Sequence, residues 1–214
     1  MSTPEVAFVS ISAEHVPSEI VSNRVSKADF QIPTFGSRHL PDAFEIDESL
    51  IISWSNKKSQ LKNIINSEDF LRIGLFDLWM ANEDRHHNNY NLMIAAEETG
   101  NILYAIDHEK CFNSAIFDKD HPIQLLTADE SLLRTPLVPL LFNNEFHLEG
   151  VVKGILDEYG NYINVCKDEL PAILQQIPES WGINTVEIAI LLQKNIFAPE
   201  WIDQTAQSFK EYLA

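Results

Sequence analysis

Residues 90–95 and 102–106 form two short apolar runs, and between them stand Glu97, Glu98, Thr99, Gly100 and Asn101. Apolar stretches of strand length around a glycine-containing polar loop predict an antiparallel β-hairpin. This hairpin constrains the fold more than any other feature, because it decides which residues beyond its two open ends meet. With Ala96 facing Ile102, Asp107 falls opposite roughly Asn91, and paired residues lie about 5 Å apart across such a ladder.

The two segments that meet are NEDRHHNNYNLMI, beginning at Asn82, and YAIDHEKCF, beginning at Tyr104. In the first, Asp84 and Asn89 are five residues apart. A kinase-type catalytic loop uses that separation to set a carboxylate at an acceptor hydroxyl and an amide oxygen on a magnesium ion. A second carboxylate is needed beside the amide, since Mg²⁺ takes hard oxygen ligands in a near-octahedral shell. Asp107 is the candidate. Together the three side chains have the spacing of a phosphoryl-transfer site.

Around the hairpin the chain reads as mostly helical. Ser67 is placed to cap a helix carrying Glu68 and Asp69 in its first turn, and Phe70, Ile73, Leu75, Phe76 and Trp79 recur along it at helical steps. Further helices are expected over residues 57–65, 129–142, 145–159, 162–176, 185–195 and 199–213, with Pro199 in a first turn and Gly160 and Gly182 at helix ends. Residues 5–11 and 33–40 read as strands. The predicted fold is mainly α, α+β in class: a helical lobe over residues 51–214 holding the catalytic loop 82–91, preceded by a β-containing segment, residues 1–50. A boundary is expected near residues 46–55. Trp54, Trp79, Trp181 and Trp201 sit among apolar positions and are read as core.

The chain has 214 residues and 45% hydrophobic content, enough for one domain or two small lobes. With 15 Lys plus Arg against 32 Asp plus Glu, the net charge of −17 argues against nucleic acid or an anionic membrane as the main partner. No apolar run reaches the roughly 18–20 residues of a membrane span, and the N-terminus lacks a signal pattern, so a cytoplasmic location is expected. Cys111 and Cys166 are read as free buried thiols.

The set Asn82-x-Asp84-Arg85-His86-x-x-Asn89, followed by Ile106-Asp107-His108, resembles the HipA-like kinases and the DRHxxN loop of phosphatidylinositol kinases. FGSRHLP at residues 35–41 and FLRIGLFDLWMAN at residues 70–82 are similar to what HipA-like domains carry between hinge and catalytic loop. The resemblance spans roughly residues 4–181. It implies a bilobed protein-kinase-like fold that uses Mg-ATP to phosphorylate serine or threonine hydroxyls. Asp84 would be the catalytic base, and Asn89 and Asp107 the metal ligands. Arg85, His86 and His108 would support them, Arg85 by pairing with a carboxylate or phosphate or by clamping a helix end. His108 stands where a DFG signature has phenylalanine. Hinge contacts to the nucleotide would come from the main chain of Ser37, Arg38, His39 and Leu40.

Two kinase parts are not recognisable. The seven glycines are scattered, so there is no GxGxxG, and neither Lys27, Lys57, Lys58 nor Lys62 lies in a VAIK-like run. The resemblance therefore implies that most of an N-lobe is missing: the chain stops short, a separate N-lobe or antitoxin-like subunit completes it, or activity has been lost. Nucleotide and a protein substrate are the other partners implied. Two further readings stand beside the kinase. One is a catalytically inert kinase-like interaction module. The other is a metal-dependent phosphohydrolase in which Asp84, His86, His87, Asp107 and His108 ligate Zn, Fe or Mn.

Overall fold

Helix α2 (Glu68–Met80) is the centre of the molecule, with Phe70, Leu71, Ile73, Leu75, Leu78 and Trp79 all buried. The computed structural model describes residues 1–20, 26–57, 61, 63–113, 122–143 and 145–214. Glu68 and Asp69 occupy the first turn of α2 as expected, but Ser67 makes no capping bond. Asn66 pins the helix start instead. Its Nδ2 donates to Asp69 Oδ2 (3.1 Å) and to the Leu103 carbonyl (3.0 Å), and its Oδ1 accepts from the Leu103 N–H (2.8 Å). Halfway along α2, a Cβ on Gly74 would stand 2.3 Å from Leu133 Cδ2. The missing side chain is what admits Leu133 to the core.

Leu103 belongs to the predicted hairpin, formed by β4 (Leu92–Glu97) and β5 (Gly100–Ala105); β3 (Phe44–Glu45) adds to β4, giving the order β3-β4-β5. Leu92, Ile94, Leu103 and Ala105 are buried, each apolar side chain contributing about 1.5–3 kcal/mol where it is large. The register differs from expectation by one residue. Ala95, not Ala96, faces Ile102, and Glu97 faces Gly100, so the Ile106 N–H reaches the Asn91 carbonyl (3.0 Å) and Asp107 lies one step further on. Gly100 sets this tighter turn: its φ is +149°, and a Cβ there would meet the Asn63 carbonyl at 2.9 Å.

A separate two-stranded ribbon joins β1 (Val6–Val9) to β2 (Thr34–Ser37), inside the two stretches read as strands. All of its residues but Gly36 are exposed. It is tied to the helical region through Trp181, whose Nε1 donates to the Pro33 carbonyl and whose ring meets Phe8 edge-on at 5.3 Å.

The remaining helices depart from the sequence reading in instructive ways. Residues 129–142 do not form one helix: 3₁₀ turns Ala128–Glu130 and Leu132–Arg134 precede a short α3 (Leu137–Leu141). Thr135 is extended ahead of Pro136, as the proline ring demands of the residue before it. Conversely, the two helices expected over 145–159 and 162–176 are one, α4 (Glu145–Gln175), which runs through Gly160 and contains Pro171. Gly182 does end a turn, at φ +65°. α5 (Thr185–Lys194) is capped by Asn184 and α6 (Pro199–Leu213) opens on its proline.

An unforeseen helix, α1 (Glu48–Asn56), occupies the stretch where the boundary was placed, its start capped by Asp47 Oδ1 on the Leu50 N–H (2.8 Å). Of the helix expected over 57–65, residues 58–60 and 62, including Lys58 and Lys62, lie outside the described residues, while Ile64 forms an isolated bridge to Asn101.

The architecture is mainly α and α+β in class, with six α-helices and two small antiparallel sheets among the described residues. Trp54 and Trp79 are buried; Trp79 Nε1 donates to the Ile196 carbonyl (2.7 Å) and Trp201 Nε1 to the Trp79 carbonyl (2.8 Å). The indoles staple α2 to the C-terminal helices. Cys111 and Cys166 are free and half-buried, and burial pushes the Cys111 thiol up to about 12. No helix among the described residues is long and apolar enough to cross a membrane.

Candidate active site

The site grows out of the end of α2. Ala81 closes the helix in the left-handed region (φ 47°), and the Asn82 N–H then returns to the Asp77 carbonyl (2.9 Å). This reversal drops Asn82 beside Asp77, where Asn82 Nδ2 donates to Asp77 Oδ1 (2.9 Å). Arg85, fully buried, donates through Nη1 to the same oxygen. Its other donors reach the Asn91 carbonyl (Nε, 3.4 Å), the Ile106 carbonyl (Nη2, 2.7 Å) and the Asp107 carbonyl (Nη2, 3.4 Å). One guanidinium therefore binds α2, the loop 82–91 and the segment after β5 together. Arg85 pairs with a protein carboxylate and by that pair clamps the end of α2; with no exposed surface it has no face for a phosphate.

Desolvation pushes the Asp77 carboxyl up to about 6, with the Arg85 charge and the Asn82 and Arg85 hydrogen bonds pulling the other way. Asp77 Oδ2 has no hydrogen-bond partner among the described residues. A buried Asp–Arg pair of this kind is costly to assemble and costlier to break.

At the mouth of the site Asp84 is half-buried. Its Oδ2 accepts from two amides, Asn89 Nδ2 (2.9 Å) and Asn91 Nδ2 (3.0 Å), and its N–H points to Asn82 Oδ1 (3.4 Å). The loop between is closed by paired backbone bonds between His86 and Asn89 (3.0 and 3.1 Å). His86 Nδ1 accepts from the Asn88 N–H (3.1 Å) and its ring tilts against His87 at 5.6 Å, so this imidazole shapes the loop. Asn91 is buried, held at φ 47°, and joined to Asp84, Arg85 and Ile106. Asp107, also left-handed at φ 50°, keeps its carboxylate exposed, with Oδ1 accepting from the Glu109 N–H (3.3 Å).

Asp107 lines a cleft of about 620 Å³ together with Val6, Phe35, Ser37, Ile106, His108 and Glu109. His108 meets Phe76 edge-on at 5.6 Å, and its Nε2 is buried with no partner among the described residues. Burial first, then the Arg85 charge, hold the imidazole down near 4 against the pull of Asp107. Of the four hinge candidates only Ser37 reaches this cleft. The Arg38 N–H is taken by the Glu5 carbonyl (2.8 Å) and its guanidinium by the Glu5 carboxylate (3.0 Å), because ribbon pairing continues one residue past β2; His39 and Leu40 line nothing here.

The structure thus joins Asp84 to Asn89 and Asn91 directly, links Asn91 to Arg85 through its carbonyl, and ties the Asp107 backbone to the same guanidinium. The five donors of the hydrolase alternative do not assemble: no group of three or more His, Cys, Asp or Glu among the described residues is arranged to hold a metal. Asp77, Asn82 and Asn91 were missed as site residues. Asp77 had a signal, a lone acid inside the apolar helix FLRIGLFDLWMAN, whereas nothing in the loop distinguishes Asn91 from Asn88.

A family described as HipA-like kinase matches residues 1–125, more than half of the chain. No curated protein and no solved structure matches it.

Proposed function

The chain belongs to the HipA-like kinase family, and from that premise we propose that it transfers the γ-phosphoryl group of Mg-ATP to a serine or threonine hydroxyl, with Asp84 as base and Asn89 and Asp107 as metal ligands. The observation that carries this reading is the orientation of Asn89. Its Nδ2 is spent on Asp84, which leaves its Oδ1 as the hard oxygen donor, while the hairpin seats Ile106, the neighbour of the exposed Asp107, against Asn91. An amide oxygen and a carboxylate suit Mg²⁺. Such an ion, when bound, supplies positive charge against the phosphates.

The chain's own residues do the positioning. Asp84 orients the acceptor hydroxyl and takes its proton as the hydroxyl oxygen bonds to the γ-phosphorus; the bond from that phosphorus to the β,γ-bridging oxygen breaks, and ADP leaves. The cleft beside Asp107, walled by Phe35, Val6 and Ser37, takes the nucleotide. In this reading residues 1–50 act as a partial N-lobe and 51–214 as the helical lobe.

One observation favours a second reading, an inert kinase-like module or a lobe completed in trans: among the described residues no Lys or Arg lines the cleft, whose charged residues there are Asp107 and Glu109. A triphosphate there lacks the cation that kinases supply from a strand lysine. The test is label transfer from γ-labelled ATP to a protein acceptor by the chain and by Asp84→Asn. We expect a loss of roughly 10²-fold or more with an unchanged thermal unfolding curve. Equal transfer by both proteins would overturn the assignment.

A further inference from the structure

Two amides converge on one oxygen of Asp84, and only one of them has another task. Asn89 Nδ2 and Asn91 Nδ2 both donate to Asp84 Oδ2, at 2.9 and 3.0 Å, so the plane of the carboxylate is fixed from one side and Oδ1 is the oxygen left to face an acceptor. Asn89 is also the proposed metal ligand, and its amide must serve the ion as well as the base. Asn91 carries no such second demand.

The backbone of Asn91 is equally fixed: φ is 47°, and its carbonyl accepts from Arg85 Nε (3.4 Å) and from the Ile106 N–H (3.0 Å). Left-handed backbone costs most residues about 1–2 kcal/mol, with asparagine and glycine the usual occupants. Holding that conformation explains a residue of this type here. It does not explain why the amide is turned onto Asp84.

Resting on the phosphotransferase reading, we infer that Asn91 is the positioning residue of the base, holding the Asp84 carboxylate in its working orientation whether or not Asn89 is engaged by a cation. The two asparagines divide the labour: Asn89 couples base to metal, and Asn91 anchors the base to the frame that Arg85 clamps. A small misplacement of a reacting group is enough to cost on the order of 10²-fold in rate.

Glycine separates this role from a structural one, because Asn91→Gly keeps the left-handed backbone and the carbonyl bonds while deleting the amide. The experiment compares the full chain, Asn91→Gly, Asn89→Ala and Asp84→Asn in phosphoryl transfer from ATP over a range of Mg²⁺ concentrations, with Mn²⁺-nucleotide affinity followed by calorimetry and folding by thermal unfolding. We expect Asn91→Gly to lower kcat roughly 10- to 100-fold with KM for ATP, the Mg²⁺ requirement and Mn²⁺-nucleotide affinity unchanged, whereas Asn89→Ala raises the Mg²⁺ requirement. Transfer by Asn91→Gly within twofold of the parent, or a shift in its Mg²⁺ requirement equal to that of Asn89→Ala, overturns the inference alone. An inactive parent, or an Asp84→Asn variant as active as the parent, overturns the phosphotransferase reading and this inference with it.

Discussion

The β4–β5 hairpin and the β1–β2 ribbon are both antiparallel pairs rich in apolar side chains, and they end in opposite environments. Leu92, Ile94, Leu103 and Ala105 of the hairpin are at most 1% exposed, while Val6, Phe8 and Phe35 of the ribbon are 44–62% exposed. Pairing satisfies the backbone in both; what differs is the layer beneath. The hairpin lies on α2 and is sewn to its first turn by Asn66, whereas the ribbon meets the helical region through Trp181 and otherwise borders the cleft. The hairpin therefore fixes the chain at its open end, where Ile106 pairs with Asn91. The ribbon supplies a wall.

The largest effect should come from the clamp that makes the hairpin side rigid. Arg85→Ala strands the Asp77 carboxylate in the core, and breaking a buried pair in this way costs about 3–5 kcal/mol. Urea denaturation should show that loss, and the segment after Ile106 should lose amide protection first, because the Ile106 and Asp107 carbonyls lose their donor. A loss under about 1 kcal/mol would mean the pair behaves like a surface ion pair and the two regions are not so different.

The same pair sets a pH signature that the ribbon lacks. The folded chain holds the Asp77 proton up to about 6, against an ordinary 3.8. A carboxyl whose affinity for the proton rises on folding contributes stability that is complete below its unfolded value and is lost as pH rises through the folded one. Between pH 4 and 7 the parent should therefore lose stability relative to Asp77→Asn, whose baseline is lower but lacks this component. Denaturation midpoints that run parallel for the two proteins across that window would remove Asp77 as its source.

Local alternation and loop spacing were enough to read the hairpin, both ribbon strands, α2, α5 and α6, and to single out Asp84 and Asn89, which a hydrogen bond joins. They failed where a long-range partner decides. The register slipped by one because Gly100 packs against Asn63 and Ile65, contacts no local pattern encodes. Ser67 lost its capping role to Asn66, which answers to Leu103 across the hairpin. Gly160 was read as a stop, yet a Cβ there would touch nothing within 4 Å, so neither turn nor packing requires the residue and the α4 helix passes through. The role of Arg85 stayed open for the same reason: it joins Asp77, eight residues before it, to Ile106, 21 residues after it.

The smallest stability effect, and the sharpest test of the ribbon as a wall, belongs to Phe35. It is 62% exposed yet lines the cleft beside Asp107. Phe35→Ser should change unfolding free energy by no more than about 0.5 kcal/mol, as surface substitutions do, while weakening Mg-nucleotide binding severalfold in calorimetry. If stability instead falls by about 2 kcal/mol, the value of a buried aromatic, the ribbon belongs to the folding core after all. A fall in affinity without a fall in stability would set the ribbon apart from the hairpin as surface kept apolar for the ligand.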